Sequence, residues 1–403
     1  MPKNMISDHK DVAPCSGLTV MQVIPELDIG GAELTTLEMT QSLVAAGGRA
    51  IVVSQGGRLA AAIRQAGGEN IILPVASKNP LTMIKNAYAL AGLVRKYNVD
   101  IIHARSRAPA WSAFWAARKT GAAFLTTYHS KVHMGPRLKV LYNSVMTRGD
   151  VVIANSEFTA DQIKKAHGVA SERIRVIPRG CDVDALDPKN YNAEKRAALR
   201  RQFGFGDDDF VILCPARLTR WKGQHVLLEA VSLCFQDSVP QKKWKKGSVQ
   251  ILFAGDAQGR DDYVDELNAL AQKHNLNVSF AGLVDDMPAI YAASDLIVIP
   301  SVIAEPFGRT AIEAQAAGRP VIASNAGGFQ ETVCPVGGDE AATGWLVTPD
   351  NAPALALALE EAMSLSPRKR DAMGRAARKY ILSKYTRARM CASTLQVYCD
   401  LWR

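Results

Sequence analysis

Short apolar runs alternate with helix-length stretches along almost the whole chain, and that alternation leaves few folds open. The run Asp295–Pro300 (D-L-I-V-I-P) is one example. It is far too short to span a bilayer and too uniformly apolar for a strand with one wet face. Such runs suit strands buried on both sides, and both faces of a parallel sheet are covered only when helices pack on them. Strands are expected at Leu18–Ile24, Ala50–Ser54, Asn70–Leu73, Asp100–His103, Ala123–Thr127, Val151–Ala154 and Ile174–Ile177. The intervening stretches, including Leu81–Tyr97, Ala108–Lys119, Pro136–Thr147 and Glu157–Ala166, carry helical patterns.

A stretch from Pro178 to Asn192 then interrupts the pattern with two prolines and little periodicity. A second set follows, with strands at Phe210–Cys214, Val249–Phe253, Val278–Phe280, Leu296–Ile299, Pro320–Ala323 and Gly344–Val347. The expected fold is therefore α/β, with two doubly wound, Rossmann-like parallel-sheet domains facing across a cleft. The expected boundaries are a flexible tail at 1–16, an N-terminal domain at 17–180, a linker at 181–192, a C-terminal domain at 193–383, and a helix at 384–403 that returns to the N-terminal domain. A length of 403 residues suits two cores of this size.

Composition narrows the partners. No apolar run approaches the ~20 residues of a membrane span, and the polar start lacks the apolar stretch of a signal peptide. The expectation is a cytoplasmic protein, with peripheral seating at the inner membrane face left open. The seven cysteines are scattered, form no C-x-x-C, and read as free thiols. Charge is uneven. Residues 1–190 hold 23 Lys and Arg against 15 Asp and Glu, whereas residues 191–403 hold 25 against 24. A basic first half favours anionic partners: phosphorylated substrates or an acidic membrane face. No basic surface interleaved with aromatic residues is evident, so nucleic acid is not expected.

The chemistry concentrates where strands end. Gly30-Gly31 follows the first strand and opens a helix, where backbone N–H groups attract phosphate. The third glycine of a dinucleotide fingerprint is missing, which disfavours an NAD-dependent dehydrogenase. His129 ends a first-domain strand. In the second domain Arg217 and Lys222 lie between a strand and a helix, where two cations can hold a diphosphate and offset the charge of a leaving group. After Asp295–Pro300 come Glu305, in a Pro-Phe-Gly turn, and Glu313, on the next helix. A carboxylate offers two acceptor oxygens and suits a vicinal diol. Gly327-Gly328 follows another strand, where a glycine pair admits close backbone approach to a ligand. The acids Asp207-Asp208-Asp209 and Asp285-Asp286 read as turn and helix-cap residues, so no metal site is expected.

Four segments occur in order: Gly30-Gly31-Ala32-Glu33, Ala216-Arg217-Leu218 with Lys222-Gly223, Glu305-Pro306-Phe307-Gly308 with Glu313-Ala314, and Ala326-Gly327-Gly328 with Glu331. Their order and spacing resemble the family 4 retaining glycosyltransferases of GT-B fold, of the lipopolysaccharide-core or glycolipid type. The segment Ile177-Pro178-Arg179-Gly180-Cys181-Asp182 resembles that family's I-P-N-G-V-D linker, with Arg179 and Cys181 departing from it.

The resemblance implies that Arg217 and Lys222 grip the donor diphosphate, Glu305 contacts the donor sugar and Glu313 the ribose. It implies that Gly30 and Gly31 approach the diphosphate, that His129 lines the sugar pocket, and that the Gly282-Leu283 turn reads the base. Phe307, Gly308, Gly327 and Gly328 complete the implied donor site. The implied reaction moves a hexose from a nucleoside-diphosphate sugar to a cell-envelope glycan or glycolipid, without a metal cofactor. Membrane contacts would then fall on Arg105, Arg107, Trp111, Trp115, Arg118, Lys119, the helix around Lys131, Arg137, Lys139 and Arg148, and the segment Gln241–Lys246. A sugar-nucleotide epimerase and a non-catalytic nucleotide-sugar-binding protein remain alternatives. Donor base, sugar, acceptor, linkage and oligomeric state stay open.

Overall fold

In both sheets every paired strand runs parallel to its neighbour, and both sheets reverse their winding once. The computed structural model describes residues 15–28, 30–129, 132, 137–235 and 248–402. The tail before Cys15, Lys131 and the segment Gln241–Lys246 lie outside the described residues. The chain divides into two compact units. One comprises Met1–Arg179 with Arg387–Arg403, and the other Gly180–Thr386.

Among the described residues the first unit is built on seven strands: β1 (Thr19–Val23), β2 (Arg49–Ser54), β3 (Glu69–Ile72), β4 (Ile101–Ala104), β5 (Ala123–Tyr128), β6 (Val151–Ala154) and β7 (Ile174–Val176). Their order is β3-β2-β1-β4-β5-β6-β7, so the winding reverses between β1 and β4. The second unit holds β8 (Phe210–Pro215), β9 (Val249–Ala254), β10 (Asn277–Gly282), β11 (Leu296–Ile299), β12 (Val321–Ser324) and β13 (Gly344–Val347). Its order is β10-β9-β8-β11-β12-β13, with the reversal between β8 and β11.

The central strands are apolar because both of their faces are covered. Every residue of β1, β8 and β11 is buried. Each fully buried Leu, Ile, Val or Phe there contributes about 1.5–3 kcal/mol relative to exposure. The edge strand β3, by contrast, is only partly buried. Gln22, a buried polar residue inside β1, has both ends of its amide bonded. Nε2 donates to Thr36 O (3.2 Å) and to Thr40 Oγ1 (3.1 Å), while Oε1 accepts from Arg105 Nε (2.7 Å).

Helix starts follow capping chemistry. Asn79, Ser156, Asn192, Asp286, Asn351 and Ser366 each accept backbone N–H bonds at an N-terminus, several with proline just inside. Asp286 is thus a cap, and Asp209 accepts from Gly206 N in a turn. The helix expected at Pro136–Thr147 is shorter: Arg137–Asn143 is α-helical and Ser144–Thr147 tightens to a 3₁₀ turn. The hydroxyls of Ser144 and Thr147 donate to carbonyls three residues back, which competes with the α-helical ladder.

The C-terminal helix Arg387–Trp402 belongs to the first unit, where Met390, Leu395 and Tyr398 pack with Leu18, Val20, Met39 and Leu43. Among the described residues no helix is long and apolar enough to cross a membrane.

Candidate functional site

Open α/β sheets bind ligands beyond the carboxyl ends of strands, at the point where winding reverses. In the second unit that point lies between β8 and β11. The loop after β8 carries Arg217 and Lys222, and the loop after β11 carries Ser301 and Glu305. Lys222 and Glu305, 83 positions apart, meet there. Lys222 Nζ donates to Glu305 Oε1 at 2.7 Å, and the two side chains are 12% and 11% exposed. Ser301 Oγ donates to the same carboxylate oxygen. Beneath them Cys214 is fully buried, and burial pushes its thiol up to about 12 against the pull of Lys222.

Glycines hold these loops close to one another. Gly223 lies in the left-handed region (φ +76), and a Cβ there would fall 1.9 Å from Pro300 O, which ties the β8 loop to the end of β11. Gly327 (φ +66) pairs with Glu305, and a Cβ would fall 2.2 Å from Glu305 O. A Cβ on Gly328 would meet the Phe307 backbone at 2.4 Å. The close approach that this glycine pair permits is therefore to the chain's own Glu305–Phe307 backbone.

The remaining second-unit residues named above are placed as follows. Gly308 caps the helix Arg309–Ala316 in the left-handed conformation, against the ring of Phe329. Phe307 is buried. Glu313 lies one turn into that helix, accepting from Arg309 Nε (2.8 Å) and Tyr291 Oη (3.3 Å). The Arg217 side chain is exposed and reaches Gln258 Oε1 at 3.3 Å, so the two loop cations have different settings. Gly282 and Leu283 form an exposed turn at the end of β10, with open space around Gly282.

In the first unit the reversal lies between β1 and β4. A cavity of about 590 Å³ opens there, lined by residues after β1, β4 and β5. Gly30 is the N-cap of the helix Gly31–Ala45, and nothing lies within 4 Å of where a Gly31 Cβ would be. His129 follows β5 and lines the cavity. Its Nε2 lies 3.5 Å from Arg179 Nη2, and Arg179 Nη1 donates to Thr35 Oγ1 at 2.7 Å. Arg179 stood out in the sequence only as a departure from a motif. Its reach to His129 depends on the fold and has no signal in spacing.

Arg105 is a correction. Read as a surface contact, it is 2% exposed at the end of β4, bonded to Gln22. Burial lowers its guanidinium from the ordinary value, while the Tyr398 hydroxyl beside it acts in the opposite sense. Trp111 is also packed, with Nε1 donating to Tyr142 O at 3.0 Å. His103 is completely buried between Tyr398 Oη (2.7 Å) and Thr127 Oγ1 (2.6 Å). Burial, with Arg105 and Arg179 nearby, holds its imidazole well below the usual range. Among the described residues no group of three or more His, Cys, Asp or Glu is placed to hold a metal ion.

Two doubly wound units, each with loops gathered at its winding reversal, define the GT-B architecture of sugar-transferring enzymes. Residues 29–185 match the description "Glycosyltransferase Family 4", and residues 195–380 match "Glycosyl transferases group 1". A GDP-mannose-dependent monoacylated alpha-(1-6)-phosphatidylinositol monomannoside mannosyltransferase of Corynebacterium glutamicum is 30% identical over 312 residues, covering 74% of this chain and 76% of that protein. A glycosyltransferase structure from Rickettsia africae superposes with a TM-score of 0.84 at 31% identity, over 95% of this chain and 98% of the other. Anabaena HepE, solved with UDP and glucose, shares the fold with a TM-score of 0.79 at 23% identity, over 95% of this chain and 100% of the other. The chain belongs to the group 1/family 4 glycosyltransferases.

Proposed function

We propose that this protein transfers a hexose, with retention of anomeric configuration, from a nucleoside-diphosphate sugar to a cell-envelope glycan or glycolipid. The observation that carries the reading is the Lys222–Glu305 pair at the β8/β11 reversal. A desolvated cation there suits the charge that develops as a diphosphate leaves. Lys222 and Arg217 hold that diphosphate. Glu305 and His129 contact the donor sugar, and Glu313 takes the ribose diol. Gly282 and Leu283 flank the base. Gly30, Gly31, Phe307, Gly308, Gly327 and Gly328 shape the surrounding backbone. The names of relatives support the donor class: one is GDP-mannose-dependent, and HepE was solved with UDP-glucose.

In this reading the C1–oxygen bond breaks with its electron pair going to the diphosphate. The acceptor hydroxyl adds at C1 from the face that the diphosphate leaves, and its proton passes to a departing phosphate oxygen. Glu305 Oε1 already receives Lys222 and Ser301, which suits holding a substrate better than attacking one. The residues therefore contribute positioning and leaving-group stabilisation.

Peripheral seating on an anionic membrane is part of the proposal. Leu81, Ile84 and Tyr88 are exposed on one helix, with Lys85 beside them and Lys119 over the Tyr88 ring. Leu138 and Leu141 are exposed on another helix, next to Arg137 and Lys139. Apolar and basic groups together favour an interfacial site. The test is incubation with UDP-, GDP- and ADP-hexoses and envelope lipid extracts, with the product anomer read by NMR. Transfer with retention, lost in a folded Lys222→Ala variant, is expected. Donor conversion without an acceptor, or nucleotide binding without turnover, refutes it.

A further inference from the structure

The cavity at the β1/β4 reversal gathers unused hydrogen-bonding groups. Arg105 Nη2, Tyr128 Oη, His129 Nδ1, Tyr142 Oη and Asn143 Nδ2 are buried and have no hydrogen-bond partner among the described residues. All five residues line this one cavity. Leaving a buried polar group unpaired is costly, so five in one place mark a surface built for a ligand rather than for packing. The guanidinium Nη2 and the asparagine Nδ2 donate only, and tyrosine hydroxyls can donate. The missing partner therefore presents acceptor oxygens.

Charge points the same way. Lys78, Arg107 and Lys139 line the cavity along with the buried Arg105, and Glu33 is the single acid among the described lining residues. Two helix N-termini also open there, at Gly31 and Arg107. A cluster of cations with one carboxylate favours an oxyanion, which guanidinium and ammonium groups bind through charge-assisted bonds. Resting on the transfer reading above, we infer that this cavity holds the acceptor, and that the acceptor is a sugar or polyol bearing a phosphate. The phosphate sits against Arg105, Arg107, Lys78 and Lys139, and the tyrosine and asparagine groups take ring hydroxyls. The volume, about 590 Å³, is within the range of small-molecule sites.

The experiment titrates the full chain with glucose 6-phosphate, mannose 6-phosphate and myo-inositol 1-phosphate, each beside its neutral parent. Phosphatidylcholine vesicles with and without phosphatidylinositol form a further arm. UDP, GDP and ADP are titrated separately. At least one soluble phosphorylated probe is expected to bind more than about tenfold tighter than its neutral parent. The double variant Lys78→Gln/Lys139→Gln, which alters two exposed side chains, should weaken that binding about tenfold or more. It should leave the melting temperature and nucleotide affinity unchanged. Competition by phosphatidylinositol vesicles assigns the phosphate to a lipid headgroup, and binding without such competition assigns it to a soluble sugar phosphate. Equal affinity for phosphorylated and neutral probes, or no binding of any phosphorylated probe, overturns the inference. So does a nucleotide affinity that falls in parallel in the double variant. Failure of every nucleotide to bind would instead refute the transfer reading.

Discussion

The Lys222–Glu305 pair should behave as one unit in stability and as two residues in activity. At 2.7 Å and an effective dielectric constant of about 20, the attraction is about 6 kcal/mol. Desolvation offsets most of it, so replacing both partners with neutral groups of similar shape should be nearly neutral. Removing one partner leaves the other charge uncompensated, which costs about 3–5 kcal/mol. Both side chains keep about a tenth of their exposure, so the lower end, about 3 kcal/mol, applies. For a unit of this size that lowers Tm by about 6–12 °C. Lys222→Met and Glu305→Gln should each show this loss in calorimetry of the full chain. The double variant should return to within about 1 kcal/mol of wild type. Transfer activity should remain down by about a hundredfold or more in the double variant, because the cation proposed to face the leaving diphosphate is gone. Single variants that each cost less than about 0.5 kcal/mol, or a double variant whose cost equals the sum of the two, would refute the argument.

Two further predictions separate fold from function. Gly31→Ala meets open space at the start of a helix and should hold or slightly raise stability, whereas Gly327→Ala faces the Glu305 backbone at φ +66 and should lower Tm by several degrees. Activity lost in a stable Gly31→Ala protein therefore reports close ligand approach, and a destabilised Gly31→Ala would contradict this. His103 supplies a pH dependence. Its folded value lies well below 6.5, so the unfolded chain binds the extra proton as pH falls. Its contribution is present above 6.5 and is lost as pH drops from there towards the folded value, at up to about 1.4 kcal/mol per pH unit. Urea melts should show the slope in wild type and a shallower one in His103→Gln; identical slopes would contradict the assignment.

The strands were legible because parallel strands buried on both faces must be continuously apolar, as in Leu296–Ile299. The site loops were legible because such strands expose chemistry at their ends. Pairing was not. Lys222 and Glu305 were each visible as charges, but nothing in a separation of 83 residues says that they touch. Arg105 shows the converse failure. A basic residue in a basic stretch reads as surface, and only the closure of β1 against β4 with Gln22 buries it. Gly327 and Gly328 were readable as a close backbone approach, but what they approach within the chain is Glu305 and Phe307.

The central claim is that the β8/β11 reversal binds a nucleoside diphosphate through Lys222. Calorimetric titration of the full chain with UDP, GDP and ADP tests it most directly. One of the three should bind with a stoichiometry of one, and a hundredfold excess over Kd should add about 2.7 kcal/mol of apparent stability. Lys222→Met/Glu305→Gln, in which the pair is replaced as a unit, should weaken that binding tenfold or more. A chain that binds none of the three, or whose affinity is unchanged in the double variant, would contradict the account.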